Sequence, residues 1–439
     1  MTAAAMAGAA LTRVLATQWA GEPGVVVESP AGAGKTYLVE LLAVQAVARL
    51  RERCMVTTQT NEQAFDLAGR LARRCPGRDF LLLTKAGLVL PDALAACGNL
   101  RVIHTVAAVP AGPCVVVANA AKWATLGPET APFDLQVVDE AFQLPDYRFQ
   151  QIANLASRFL LVGDPGQIAP VITCDVARWQ ADPAGPHVAS PQALLARHPA
   201  LPRLTLPVSR RLPPDTVALL QPAFYPRLPF RSLTEPGARG LRLRPAGAGP
   251  LDRGLDLAAA GRSLVALELP AAVTGEVDEA LAETIVRLME RLLARETVLC
   301  EDGRETPLVP AMLGVVCAHV AQVNAVASRL PPQLSEVFVE TAERFQGLER
   351  PLIFVHHPLS GRVAPSAFQV NAGRLCVMLS RHRIACWLVT RAGVDTELRR
   401  AGPSGDRVLG SRSDPEFEGW QAHRQFLQAL RATGRIIPL

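Results

Sequence analysis

The chain has 439 residues, which at roughly 150 per domain is about three domain-sized units. Hydrophobic residues make up 49% and charged residues 19%, enough apolar material for real cores, so a disordered or fibrous chain is excluded. The net charge of +5 permits a nucleic-acid partner without demanding one.

No apolar run reaches the ~18 residues of a membrane-spanning helix. The Ala-rich residues 1–11 have no positive residue ahead of them, which argues against a secretory leader and for the cytoplasm. The nine cysteines are an odd number without a C-x-x-C pair, and the eight histidines lack H-x-x-x-H spacing. They read as reduced, buried thiols and not as a disulfide frame or a zinc site. Only three of the 45 basic residues are lysines, at 35, 85 and 122. Where arginine has taken nearly every basic position, a retained lysine marks a place that needs a compact ammonium.

Residues 24–28 (GVVVE) are apolar and β-branched, which predicts a buried strand. The turn Ser29-Pro-Ala-Gly-Ala-Gly-Lys-Thr36 follows, and residues 37–51 predict a helix. Strand, glycine turn and helix form the setting a P-loop requires. Gly32 and Gly34 let the backbone curl around phosphate oxygens, with Ala33 between them. The helix N-terminus adds its dipole, Lys35 reaches the β- and γ-phosphates, and Thr36 holds Mg²⁺. Tyr37 completes the expected nucleotide contacts. The usual first glycine of the motif is Ser29 here.

Further strands are expected at 54–59, 80–84, 115–118, 135–139 and 159–163, with a helix at 62–74. This alternation predicts a parallel α/β sheet covered on both faces, with ligands at the strands' carboxyl ends. Ser29, Asp139 and Asp164 all fall at such ends. Asp139 would bind Mg²⁺, and Glu140 would orient or deprotonate the attacking water.

Residues 199–250 are Pro-rich and predict a connector with irregular segments. A second α/β unit without a P-loop of its own then follows, with elements at 264–269, 277–295, 312–317, 321–330, 337–340, 352–356, 367–379 and 385–390. The stretch from 401 onward is Gly-, Ser- and Asp-rich, then amphipathic over 417–430, as a packing or partner helix would be. The expected layout is 1–205, 206–400 and a tail at 401–439.

The order of motifs resembles a superfamily-1 helicase. Asp139-Glu-Ala-Phe-Gln143 is similar to D-E-A-x-Q, and Leu160-Leu-Val-Gly-Asp-Pro-Gly-Gln167-Ile-Ala-Pro170 to G-D-x-x-Q-L-x-P. Val56-Thr-Thr-Gln-Thr-Asn61, Glu343-Arg-Phe-Gln-Gly-Leu-Glu349 (R-F-Q-G-x-E) and Asn371-Ala-Gly-Arg-Leu-Cys-Val-Met-Leu-Ser-Arg-His-Arg383 follow in family order. The Q after D-E-A and the R-F-Q-G-x-E form look like the 5′→3′ branch that includes the nonsense-mediated-decay helicase.

The resemblance implies two tandem RecA-like domains that hydrolyse ATP with Mg²⁺ and move along single-stranded DNA or RNA. It makes Gln167 a γ-phosphate sensor and Glu349 a contact to the ribose or domain interface. Arg381 is the leading arginine finger, because it ends an apolar helix ahead of a strand where a ligand crevice is expected. Arg210 is the next, with Arg211 its alternative. Thr60, Asn61, Asn119, Lys122 and Thr341 are expected to grip backbone phosphates, though Asn61 also suits a helix cap. Trp123, Trp179 and Phe345 suit base stacking or the core. The chain is short for the family, which leaves open a second reading: a regulatory ATPase that clamps nucleic acid or recruits a partner such as a nuclease, without unwinding.

Overall fold

The structure is a computed structural model that describes residues 2–127, 132–172, 175–179, 182–245, 247–400 and 415–439. The Gly/Ser/Asp-rich stretch from Ala401 to 414 and Cys174 lie outside them. The chain forms two compact units that part between Pro207 and Val208, with Gly166–Ile168 grouped in the second.

The first unit is built on an eight-stranded parallel sheet. Its strands are β1 (Gly24–Glu28), β2 (Arg53–Thr58), β3 (Phe80–Leu83), β4 (Leu100–Ile103), β5 (Cys114–Asn119), β6 (Phe133–Val138), β7 (Ala156–Gly163) and β8 (Arg203–Thr205). They lie in the order β4-β3-β5-β2-β6-β7-β1-β8. The β1 residues are all buried, as a run of β-branched residues covered on both faces requires. Val25, Val27, Val56 and Leu160 enter one core, and their neighbours Val26, Met55 and Leu161 enter the other. That period of two along each strand gives both faces an apolar lining.

The helix after the phosphate-loop sequence spans Lys35–Gln45 and continues as a π-helical turn, Ala46–Leu50, ended by Arg51 at φ +59°. The expected single helix to residue 51 therefore changes its hydrogen-bond register before its end. Residues 3–19 also form a helix, capped by Thr2.

The Pro-rich segment holds regular structure where the sequence predicts irregularity. It contains β8, β9 (Val208–Ser209), β10 (Arg231–Ser232), β11 (Arg239–Arg242) and a helix, Pro214–Phe224. Two prolines explain the difference: Pro213 is the helix N-cap and Pro214 its first residue, where no amide donor is needed.

In the second unit, six parallel strands run in the order β16-β15-β17-β18-β12-β19: β12 (Leu264–Leu269), β15 (Leu313–Cys317), β16 (Phe338–Thr341), β17 (Arg350–His356), β18 (His382–Arg391) and β19 (Ile436–Pro438). An antiparallel sheet of β11, β13 (Val298–Glu301) and β14 (Arg304–Pro307) accompanies them. The residues expected as a tail are part of this unit. The helix Pro415–Ala432 stacks Phe426 against Phe224 with ring centroids 6.0 Å apart, and β19 pairs with β12 through Ala266 and Ile436. Both units are thus built on parallel α/β sheets. Among the described residues, no helix is long and apolar enough to cross a membrane.

Candidate nucleotide site and strand-binding residues

The first unit brings its chemistry together at the carboxyl ends of β1, β6 and β7. Gly32 (φ +74°) and Gly34 (φ +89°) take left-handed conformations that other residues avoid, and Gly34 caps the helix that starts at Lys35. Ser29 is outside the positive-φ residues, so a side chain there costs no backbone strain. Its amide donates to Gly163 O at 2.9 Å, and its buried hydroxyl has no hydrogen-bond partner among the described residues.

Lys35 is 9% exposed, with Nζ 3.5 Å from Glu140 Oε1 and 3.7 Å from Asp164 Oδ2. Thr36 Oγ1 donates to Asp139 Oδ2 at 3.2 Å. The glycine turn and two strand ends far along the chain, at Asp139-Glu140 and Asp164, therefore meet around one ammonium. Burial raises the Asp139 carboxyl well above the ordinary range, and the Glu140 charge raises it further. Lys35 and the Thr36 hydroxyl pull the other way. Such a carboxylate is short of positive charge, which a divalent cation supplies.

Glu140 itself sits at φ +52°, a left-handed conformation that costs a non-glycine residue about 1 kcal/mol or more. Its amide donates to Asp139 Oδ1 at 3.0 Å, which ties the two acids into one turn. A Cβ on Gly163 would lie 2.7 Å from the Phe142 ring and 2.8 Å from the Phe142 amide nitrogen. Only glycine lets β7 pass this close to the acid loop. Sequence reasoning missed Gln59, whose Nε2 donates to Asp139 O at 3.1 Å while its amide donates to Gln63 Oε1 at 2.9 Å. Its position just after β2 was the available signal.

Tyr37 is 44% exposed and lies under Arg74, whose guanidinium carbon is 4.6 Å from the ring centroid. Ala33 is buried in the loop. Gln167 falls in the second unit, where Gln346 Nε2 donates to its Oε1 at 3.0 Å.

The remaining residues group as follows. Thr60 is the helix N-cap, and with Gln63 it forms a reciprocal capping pair. Asn61 Oδ1 accepts from Asn119 Nδ2 at 2.7 Å, and Asn119 Oδ1 caps the next short helix at the Lys122 amide. Lys122 Nζ donates to His104 O at 3.1 Å. Four of the five expected grips therefore share the ends of β2 and β5. The fifth, Thr341, ends β16 in the second unit and is buried. Trp123 and Phe345 are fully buried core residues, and Trp179 is half-buried beneath Arg178.

The second unit gathers arginines at the amino ends of β17 and β18. Glu349 takes Arg211 Nε at 2.6 Å and Arg383 Nη1 at 3.5 Å. Burial alone would raise the Glu349 carboxyl, but Arg211 and then Arg383 outweigh it and leave it below the ordinary range. Arg211 Nη1 also donates to Ser380 O at 3.2 Å. Arg210 is exposed and forms no ion pair or hydrogen bond among the described residues. Arg381 is buried, with Nε on Val377 O at 2.9 Å and Nη2 on Ser380 Oγ at 3.0 Å. The carboxyl-end rule gives its assignment no support, because residue 381 precedes the first residue of β18 and so lies at an amino end.

The family profile AAA_12, described as an AAA domain, matches residues 274–393. No curated protein matches the chain. Solved structures similar to it include the helicase of PRRSV (14% identity, TM-score 0.43, 88% of this chain and 54% of that one). Arterivirus nonstructural protein 10 (helicase) matches at 14% identity and TM-score 0.43 over 83% and 59%. Its complex with DNA matches at 15% and 0.45 over 85% and 63%. The chain spans between 54% and 63% of the length of these three. The family match falls in the second unit, the glycine-curled cradle lies in the first, and the ordered motifs resemble those of superfamily-1 helicases.

Proposed function

We propose that the protein is an ATP-driven motor on single-stranded nucleic acid. The observation that carries this reading is the position of Lys35 Nζ, 3.5 Å from Glu140 and 3.7 Å from Asp164, at the mouth of a glycine-curled loop. The loop amides of residues 32–36 would hold the phosphates, and Lys35 would turn from the acids to the β- and γ-oxygens. Thr36 and Asp139 would hold Mg²⁺, whose charge offsets that developing on those oxygens. Glu140, released from Lys35, would orient the attacking water and take its proton.

Phosphoryl transfer needs further positive charge on the γ-oxygens. We assign it to Arg381 and Arg210 of the second unit, with Gln167 as the γ-phosphate sensor and Glu349 as the residue that sets the arginines around it. Thr60, Asn61, Asn119, Lys122 and Thr341 are assigned to the strand backbone. In support, the first four already share one edge of the first sheet.

The test is ATP hydrolysis with and without matched single-stranded DNA and RNA across a salt series. Stimulation by either polymer, lost in Lys35→Ala, supports the motor reading. Stimulation without strand displacement, even on substrates with long loading tails, moves the function to a clamping ATPase. Hydrolysis indifferent to any polynucleotide removes both.

A further inference from the structure

The turn that carries Arg210 is held from several sides. Residues 210–212 bend between β9 and the helix Pro214–Phe224. The Leu212 amide donates to Ser209 Oγ at 3.2 Å, and Ser232 Oγ donates to Leu212 O at 2.6 Å. Arg239 Nη1 donates to Arg211 O at 2.8 Å. The Arg211 side chain is anchored by Glu349 and by Ser380 O. Backbone and neighbouring side chain are thus fixed, while the Arg210 side chain stays exposed.

One of these anchors leads outside every motif of the sequence. Arg239 begins β11, and Glu301 stands opposite it on β13. Glu301 Oε1 lies 3.5 Å from Arg239 Nε and 3.1 Å from Arg383 Nε. Arg383 Nη1 lies 3.5 Å from Glu349 Oε1, and Glu349 takes Arg211 Nε at 2.6 Å. The contacts close a ring: Arg211 to Glu349, Arg383, Glu301, Arg239 and back to the Arg211 carbonyl. Asp302 Oδ2, 3.7 Å from Arg239 Nη2, adds a third acid to the ring's three arginines. The ring therefore balances its own charge, and none of its acids pairs with Arg210. Arg211 and Arg239 are only 13 and 12% exposed, which shields these pairs from the screening that weakens surface pairs.

The hairpin that brings Arg239 and Glu301 to this place is tightly specified. Glu301 pairs with Arg304, which leaves Asp302 and Gly303 as a two-residue loop at φ +52° and +83°. Positive φ at both central positions, with Asp-Gly there, is the mark of the type I′ turn, whose twist matches that of its strands. The Asp302 amide donates to Ala238 O at 2.8 Å, which fixes the register of β11 and with it the place of Arg239. Leu241 and Leu299, opposite each other one step along the same face, enter the core of the unit and hold the hairpin down.

We propose that Arg239 and Glu301 are positioning residues for ATP hydrolysis: they fix the turn at 210–212 so that Arg210 is presented to the γ-phosphate in one geometry. The proposal rests on the motor reading and on the assignment of Arg210 made above. A finger acts through its placement, and a displacement of about 1 Å costs on the order of 10²-fold in rate. The charge-assisted bond from Arg239 to the Arg211 carbonyl holds the peptide next to Arg210, and Glu301 holds Arg239.

The experiment measures ATP hydrolysis by the full chain with single-stranded polynucleotide, in wild type, Arg239→Met, Arg239→Lys, Arg210→Ala and the double variant Arg210→Ala with Arg239→Met. Thermal midpoints serve as the fold control. Arg239→Met keeps the length of the stem and removes the donors. It is expected to lower kcat roughly tenfold while KM and fluorescent-nucleotide affinity stay within about twofold of wild type. Arg239→Lys keeps a donor and is expected to recover much of the rate. In the Arg210→Ala background, Arg239→Met is expected to cost nothing further, because the group it places is gone. An equal loss in both backgrounds makes the ring a structural feature only and overturns the proposal. If Arg239→Met does not fold, Glu301→Gln is read in the same cycle, with a several-fold loss in kcat that vanishes without Arg210. A near-normal rate in Arg210→Ala overturns the proposal and leaves the motor reading standing on Arg381. A wild type that hydrolyses no ATP removes both. Where hydrolysis ignores every polynucleotide, the motor reading falls, and the same cycle read on the basal rate still decides the positioning role.

Discussion

Lys35 Nζ lies within 3.7 Å of two carboxylates, Glu140 and Asp164, from the ends of two different strands. Lys35→Ala removes the charge assigned to the phosphates and takes the ammonium away from Glu140 and Asp164. Turnover is expected to vanish, measured as phosphate release. The apo protein should also lose thermal stability, because breaking a buried pair costs about 3–5 kcal/mol. Added Mg²⁺ should restore part of that midpoint. Full ATPase activity in Lys35→Ala would remove the cradle as the site of chemistry.

Glu140→Gln keeps the shape of the turn and removes the carboxylate proposed as the base. It is expected to bind nucleotide at near wild-type affinity and to retain it unhydrolysed, seen by fluorescent-nucleotide titration beside single-turnover chromatography. A variant that turns over at more than a tenth of the wild-type rate means the water is activated elsewhere.

The arginines separate by their partners. Arg211 is committed to Glu349 and the Ser380 carbonyl, whereas Arg210 is exposed and forms no ion pair. Arg211→Ala is expected to lower the thermal midpoint, by loss of a part-buried charge-assisted bond. Arg210→Ala should leave the midpoint in place and slow hydrolysis. Arg381→Ala should slow hydrolysis by roughly a hundredfold or more with ATP binding intact, the low side of what a finger contributes. Near-normal rates in both Arg210→Ala and Arg381→Ala would take the finger away from these positions.

How much of this was legible in sequence depends on range. The cradle was legible because its residues are contiguous and their types are forced: two glycines at positive φ, one lysine, one hydroxyl. The strand ends that carry Asp139 and Asp164 were legible because apolar runs stop there. The helix Pro214–Phe224 was not, because prolines that break a helix interior also start one, and composition alone cannot tell the two uses apart. Strand β19 was invisible because three residues, Ile436–Pro438, acquire their role only from β12. The Arg211–Glu349 pair spans 138 residues and has no local signature.

Gly163→Ala tests the acid loop without touching a charge. The new Cβ would lie 2.7 Å from Phe142 Cδ2 and 3.0 Å from the Ala141 amide. Backbone cannot yield as a flexible side chain would, so the loop bearing Glu140 must shift. Overpacking of this kind costs about 1–3 kcal/mol. Hydrolysis is expected to fall further than nucleotide affinity does, because the base moves while the phosphate loop stays. Equal losses in both would place the shift in the phosphate loop instead.

The second unit carries a pH dependence of its own. His357 and His423 are fully buried, with ring nitrogens 3.3 Å apart, and the other His357 nitrogen is 3.3 Å from Thr390 Oγ1. Burial lowers both, His423 to about 3, and His423 lowers His357 further. His356, also buried, falls to about 3. The folded state thus keeps these rings neutral while the unfolded chain takes up protons below about pH 6.5. Stability is then constant above that pH and declines as the pH falls from about 6.5 toward 3. At pH 5 His356 and His423 each cost about 2 kcal/mol. His423 sits on the helix Pro415–Ala432, and its partner follows β17, so the pair also joins the last helix to the sheet. His423→Leu is expected to flatten the thermal midpoint between pH 6.5 and 4.5 relative to wild type, even if the variant is less stable at pH 8. A wild-type midpoint that holds steady down to pH 4.5 would show that these rings are already charged in the fold, and the buried pair would then need a counter-ion that the described residues do not supply.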